Sequence, residues 1–281
     1  MKGLKFSRKQ LGIPYALFLA LFVVLPLLLI IVYAFTKEDP NGAFTLSGTK
    51  VSITFENFID FFGKNSNLRV LFISFGLAIV TTAACLIIAY PLAYILARSK
   101  MNKSGVLLIL FILPMWINFV LRTAAMKELL FAIGFYRSNK LSFLNTVIGM
   151  VYDYLPFTIL PIYTVLIKLD KNLIEASEDL GANKVQTFIK ATLPLSLPGI
   201  VSAITMVFLP TTTSYVISDT LGNSKVTIIG KLIENQFNIG TADSWHTGSA
   251  ISLILLVFIF LTMFFTGKFQ ENSSPRGGGL W

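Results

Sequence analysis

Uncharged stretches long enough to cross a bilayer recur along this chain, and they constrain its fold more than any other feature. A helix rising about 1.5 Å per residue needs about 20 apolar residues to cross roughly 30 Å of hydrocarbon. Runs without a charged side chain cover Leu11–Thr36, Val70–Ala97, Gly105–Leu121, Tyr154–Ile167, Ala191–Thr213 and Thr247–Gly267. The fourth reaches spanning length only when Asn145 to Tyr152 joins it, which puts Asp153 inside the bilayer or at its edge. Charged residues make up 13% of the 281 and hydrophobic ones 54%, about half the charge of a typical soluble domain. A core built in water cannot hide that much apolar surface, so lipid must cover the rest. The expected fold is all-α, a polytopic membrane protein with six transmembrane helices. Residues 11–267 form its membrane domain, 1–10 an N-terminal segment and 268–281 a disordered tail.

The remaining composition removes several function classes. Cys85 is the lone cysteine and His246 the lone histidine, which leaves no internal disulfide and no histidine-rich metal centre. The reading therefore contains no catalytic residue, no metal site and no cofactor. A net charge of +9 suggests nucleic acid in a soluble protein. Here the cations sit in short segments between apolar runs, as an orientation signal requires, and no nucleic-acid partner is expected. Lys2, Lys5, Arg8 and Lys9 precede the first run, which is too long for a signal-peptide core and is expected to stay as an anchor. Alternation then puts Arg98, Lys100, Lys103, the Lys168–Pro198 loop and the Lys268 tail on the same inner side. That side holds 13 of the 23 Lys and Arg residues. Both termini are expected in the cytoplasm of a multi-pass cell-membrane protein, with 37–68, 122–143 and 219–246 facing outward.

The loop 168–198 is long and patterned. Asp170 or Asn172 can cap a helix starting near Leu173, acidic Glu175, Glu178 and Asp179 suit its early turns, and Gly181 can supply the left-handed residue that ends it. Leu173, Ala176, Ser177 and Leu180 share a small-to-apolar face. Val185, Phe188, Ile189 and Thr192 then repeat at helical spacing before Pro194 and Pro198, which are expected to stop the second segment.

The run Glu175-Ala176-Ser177-Glu178-Asp179-Leu180-Gly181-Ala182, followed by Leu193-Pro194, resembles the EAA loop of permease subunits in binding-protein-dependent ABC importers. Ser177 and Ala191 replace the family's second alanine and its isoleucine, and both stay small or apolar. The resemblance implies the type I importer (MetI-like) permease fold and a coupling loop that docks on a separate ATPase subunit. Glu175 would face that interface, Ala176 and Ala182 permit close approach, and Gly181 make the turn. Independently of the resemblance, the chain has no G-x-x-x-x-G-K-[ST] run and so no phosphate cradle of its own.

Further stretches resemble the spermidine/putrescine branch of that family: Ala89-Tyr90-Pro91-Leu92-Ala93-Tyr94, Leu113-Pro114-Met115-Trp116-Ile117-Asn118 with Arg122, Lys168-Leu169-Asp170-Lys171, and Tyr215-Val216-Ile217-Ser218-Asp219 with Leu221-Gly222. The resemblance implies a heterodimer with a homologous second permease, two ATPase subunits and an extracytoplasmic polyamine-binding protein. A polyamine path needs a few carboxylates for the amines and aromatic faces for stem and charge. Trp116, Asp153, Tyr215 and Asp219 are the candidates. Asp153 has two readings, as a substrate contact or as a partner of Arg122 or a helix cap. Trp116 and Tyr215 serve equally as pathway lining or as interfacial belt residues. Arg122 would repel a polycation and is expected to pair with an acid. His246 is expected at the interface, with no partner suggested by the sequence, and Pro91, Pro114, Pro156 and Pro161 are expected to kink their helices.

Two alternatives stand beside this reading. An importer for another small solute, such as sulfate, phosphonate or ferric iron, would share the loop, and an anionic solute would make use of Arg122. A secondary transporter would need spans and sparse buried charge but no such loop. A membrane-embedded enzyme would need clustered acid, base or metal-ligand residues, and that spacing does not occur.

Overall fold

Helix forms along each of the long uncharged runs, because in lipid every backbone N–H and C=O must be bonded within its own segment. The computed structural model describes residues 12–42, 44–46, 48–99 and 105–273. The segment 1–10 with its four cations, Lys100, Lys103 and the glycine-rich end 274–281 lie outside the described residues. Five helices among the described residues are long and apolar enough to cross a membrane, six when one sharply bent pair counts as a single span.

The long helices are α1 (Ile13–Ala34), α3 (Asn65–Arg98), α6 (Ser142–Lys168), α8 (Lys184–Thr213) and α11 (Ala242–Ser273). Between α1 and α3 the chain builds a small sheet from β1 (Thr36–Glu38), β2 (Phe44–Leu46) and β3 (Thr49–Ile53), followed by α2 (Glu56–Gly63). Both outer strands pair antiparallel to β3 in the order β1-β3-β2, with Thr36 opposite Ile53 and Phe44 opposite Val51. This sheet has no counterpart in the expected all-α pattern. Its strands are three to five residues long, too short for an alternation signal to stand out.

The kink expected at Pro114 is a sharp break: α4 (Val106–Trp116) and α5 (Phe119–Ala132) meet at 92°. Two expectations need correction. Pro194 and Pro198 do not stop the second loop segment, since α8 runs through both into the fifth span. The reason is a π-helical turn at Phe188–Thr192, where Leu193 N–H bonds Phe188 O. That one-residue register shift falls where Pro194 could donate no bond. The same device, Leu25 N–H to Ala20 O, precedes Pro26 in α1. Finally, α11 continues as helix to Ser273, past the expected end at Gly267.

The chain divides into two compact units, 1–68 with 232–257 and 69–231 with 258–281. In the first, His246 is not at the surface as an interfacial residue would be: it is 1% exposed. Its Nδ1 lies 2.9 Å from Tyr33 O and 3.0 Å from Thr36 Oγ1. A carbonyl only accepts, so Nδ1 carries the proton. Asn57 Nδ2 donates to Ala34 O and Thr36 O at 3.0 and 2.9 Å. The carbonyls left over at the end of α1 are thereby satisfied where the chain turns into the sheet.

In the second unit two apolar clusters hold α3, α6 and α8 to their neighbours. One gathers Ala89, Ala93, Leu96, Ile159, Ile162, Leu166 and Ala203. The other joins Leu77, Leu130, Val147, Met150, Ile217 and Leu221. Small residues set the spacing, as expected where packing rather than water exclusion drives association. A Cβ on Gly199 of α8 would meet Pro161 O and Val165 at 3.1 Å.

Candidate functional site

Pro114 closes α4 with a 3-10 turn, in which Ile117 N–H bonds Pro114 O at 3.1 Å. Asn118 then caps α5, its side chain accepting from Val120 N–H at 2.9 Å. A turn that ends one helix and a cap that starts the next produce the break, and the sequence Pro114–Asn118 encodes both.

The break aims the first turn of α5 at the middle of α6. Arg122, 6% exposed, and Asp153, 2% exposed, face each other there with Arg122 Nη2 3.1 Å from Asp153 Oδ1. Thr123 Oγ1 donates to Asp153 Oδ2 at 3.1 Å. The expectation that Arg122 pairs with an acid is met, and the partner is Asp153. Burial of a lone carboxylate at this depth is costly, and pairing with Arg122 offsets part of that cost.

An open cavity of about 560 Å³ lies over this pair, within the usual range for small-solute sites. Met115, Trp116 and Ile117 from the end of α4, with Asn118, Phe119 and Arg122, form one wall. Asp153, Tyr154 and Phe157 from α6 form another, and Ser214 completes it between α8 and α9 (Tyr215–Leu221). Tyr154 hydroxyl bonds the Ser214 hydroxyl, tying α6 to that junction. Trp116 is 83% exposed and offers its ring to the opening.

Of the four pathway candidates, Trp116 and Asp153 lie at this cavity. Asp219 and Tyr215 are not among its lining residues. Lys231, in α10 (Ile229–Ile239), reaches both, with Nζ 3.4 Å from Asp219 Oδ2 and 5.5 Å from the Tyr215 ring centroid. Phe157 and Ser214 went unnoticed in the sequence. Phe157 was discoverable, because it lies four residues after Asp153 on the same helical face. Ser214 has no local signature.

The second candidate region is the hairpin between α6 and α8. Asp170 caps α7 (Lys171–Asp179), accepting from Asn172 N–H at 2.9 Å. Gly181 adopts φ +85°. Gly181 N–H bonds Glu178 O at 2.9 Å and Ala182 N–H bonds Ser177 O at 3.2 Å, the paired bonds of a Schellman stop. Asn183 and Gln186 then exchange bonds of 2.9 and 3.0 Å as a capping box that starts α8. Ser177 Oγ donates to Thr187 Oγ1 at 3.4 Å, so the serine at the family's alanine position bridges the two arms.

The predicted faces of the hairpin separate. Phe188 turns inward, its ring edge-on to Tyr90 and Tyr94 of α3 at 5.6 and 5.8 Å. Tyr90 hydroxyl meets Ser196 Oγ at 2.7 Å. Thr192 is buried and Leu193 packs on the same cluster. Outward lie Glu175, Ala176 and Pro194. Leu173, Val185 and Ile189 are also exposed, and Leu180 is 89% exposed. Ala182 is half-buried. An apolar, solvent-facing hairpin whose root is wedged between membrane helices can pass a push at its tip to those helices.

Residues 89–276 match the family described as "Binding-protein-dependent transport system inner membrane component". Over 273 residues the chain is 34% identical to the spermidine/putrescine transport system permease protein PotB of Haemophilus influenzae, covering 92% of each. It is 35% identical over 259 residues to the PotB protein of Escherichia coli, covering 87% of this chain and 91% of that one. A PotB homolog of Mycoplasma genitalium is 30% identical over 268 residues, covering 92% and 90%. The fold is similar to a chain of a bacterial alginate ABC transporter solved in complex with an alginate pentasaccharide-bound periplasmic protein. That likeness has TM-score 0.69 and 14% identity, and covers 94% of both chains. A chain of the MetNI methionine ABC transporter gives TM-score 0.55 and 19% identity, covering 74% of this chain and 96% of that one. The chain is a multi-pass membrane protein with an ABC importer permease fold, and it belongs to the binding-protein-dependent transport system inner membrane component family.

Proposed function

We propose that the chain is the permease subunit of an ATP-driven importer for polyamines of the spermidine and putrescine class. The observation that carries the substrate class is identity of 34–35% to spermidine/putrescine permeases over about nine-tenths of the chain. The cavity chemistry agrees with it. Asp153 offers a carboxylate, while Trp116, Tyr154 and Phe157 offer aromatic faces to methylenes and ammonium groups. Tyr215 and Asp219, outside the lining of this cavity and contacted by Lys231, are proposed as a second aromatic and acid pair for the substrate.

The chain works with a homologous second permease, two ATPase subunits and an extracytoplasmic polyamine-binding protein. It catalyses no covalent reaction, since ATP is split by the partner subunits. Both termini are cytoplasmic and residues 11–267 form the permease domain. The hairpin 168–198 docks on an ATPase subunit through Glu175, Ala176, Ser177, Gly181 and Ala182. Leu193 and Pro194 connect it to the fifth span. Nucleotide-driven closure of the ATPases moves the hairpin, and the membrane helices rock between outward and inward openings.

Arg122 at the cavity favours a second reading, in which the solute is an anion such as sulfate or phosphonate. The test is uptake by the complete assembly reconstituted in proteoliposomes with its binding protein. Polyamine import predicts ATP-dependent accumulation of labelled spermidine that survives an ionophore and is unaffected by excess sulfate or phosphonate. Accumulation of the anion in place of spermidine selects the second reading, and collapse of uptake with the ion gradient selects a secondary transporter.

A further inference from the structure

We propose that Arg122 is a built-in stand-in for the substrate's ammonium group, neutralising Asp153 between substrates and giving up its place when an amine arrives. The inference rests on the polyamine reading and adds to it the residue that limits how tightly substrate is held.

Three observations lead there. First, the pair is buried yet poorly bonded. Arg122 Nη2 is 3.1 Å from Asp153 Oδ1, but among the described residues no hydrogen bond is aligned at that oxygen, and Arg122 Nε and Nη1 are buried without partners. A structural arginine–carboxylate pair gains its strength from two parallel hydrogen bonds, and this one makes neither. Second, the spare capacity lies where substrate would come, because both residues line the same open cavity as Trp116. Third, the guanidinium has somewhere to go. Arg122 Cζ already lies 5.9 Å from the Tyr152 ring centroid, so a guanidinium pushed off the carboxylate keeps an aromatic face beside it.

The charge balance gives this exchange a purpose. Asp153 at this depth needs a cation beside it throughout the cycle. Arg122 supplies one before substrate arrives and after it leaves. While an amine occupies Asp153, two cations share one carboxylate, and their repulsion in a poorly screened cavity lowers affinity and favours release. A carboxylate alone would hold its substrate, whereas a transporter must let go.

The test is labelled-spermidine uptake across a concentration series, using the complete assembly with Arg122→Lys, Arg122→Gln, Asp153→Asn and the double variant Arg122→Gln/Asp153→Asn. Lysine keeps the charge and hence the fold, but its ammonium is more strongly hydrated than a guanidinium and loses more on leaving water for Asp153, so it is the weaker competitor. Arg122→Lys should lower KM about threefold, and Arg122→Gln should lower KM and Vmax together by up to about tenfold. Asp153→Asn should raise KM, and the double variant should match it, because with the carboxylate gone nothing remains to compete for. If Arg122→Gln does not assemble, Arg122→Lys decides alone. Wild-type or higher KM in Arg122→Lys overturns the proposal, as does unchanged KM in Asp153→Asn or a double variant restored to wild-type KM, the signature of a purely structural pair. A wild-type assembly that imports no spermidine overturns the polyamine reading itself, and is thereby distinguished from these outcomes.

Discussion

Arg122 at the start of one half-helix and Asp153 at the centre of another helix meet 3.1 Å apart, both almost wholly removed from solvent. The break between α4 and α5 makes this meeting possible, and the rest of the account follows from the chemistry that break exposes.

The pair should behave as a coupled unit in stability. Asp153→Ala leaves an uncompensated guanidinium and should cost about 3–5 kcal/mol, whereas Arg122→Met with Asp153→Leu should cost clearly less. Thermal unfolding of the detergent-solubilised assembly, read as a double-mutant cycle, measures the difference.

Gly181 has φ +85°, a conformation that a β-branched residue adopts only with strain. Gly181→Val should cost the hairpin about 1–2 kcal/mol and reorient α7. Spermidine-stimulated ATPase activity of the assembly should fall, while its basal hydrolysis persists. Ser177→Ala removes only the long bond to Thr187 and matches the family's own alanine, so its effect should stay within about 0.5 kcal/mol.

His246 should be a structural residue. His246→Ala removes the donor to Tyr33 O and should lower stability by about 1–3 kcal/mol, the usual penalty for a buried polar group left unpaired. KM for spermidine should stay at the wild-type value in the same uptake assay.

Gly199 should tolerate no larger side chain. A Cβ there meets the carbonyl of Pro161 at 3.1 Å, and backbone gives way less readily than a side chain. Gly199→Val should cost about 1–3 kcal/mol through separation of α6 from α8, visible as a lower unfolding temperature.

These residues also show where sequence reasoning succeeded and where it could not. The spans were legible because crossing lipid imposes a length and a composition that no soluble helix needs. The hairpin was legible because Asp170 and Gly181 use local capping chemistry, written within a few residues of where it acts. Pro194 misled for the same local reason. Its missing N–H predicts a stop, and only the π turn before it absorbs that loss. A charge ends the third apolar run at Arg122, which by sequence alone places it in an outer loop. The half-helix it begins points it back into the protein, where Asp153 pairs with it from 31 residues further along the chain. Thr36, Tyr33 and His246 lie still further apart in sequence, so their shared hydrogen bonds leave no pattern to read.

The most direct test of the central claim, that this chain takes force through its hairpin from separate ATPase subunits and uses it to import polyamine, is ATP-dependent spermidine uptake by the reconstituted assembly carrying Glu175→Arg with Gly181→Val. The account predicts that the ATPase subunits no longer co-purify and that uptake falls to background. Wild-type uptake with the ATPases still bound would contradict it.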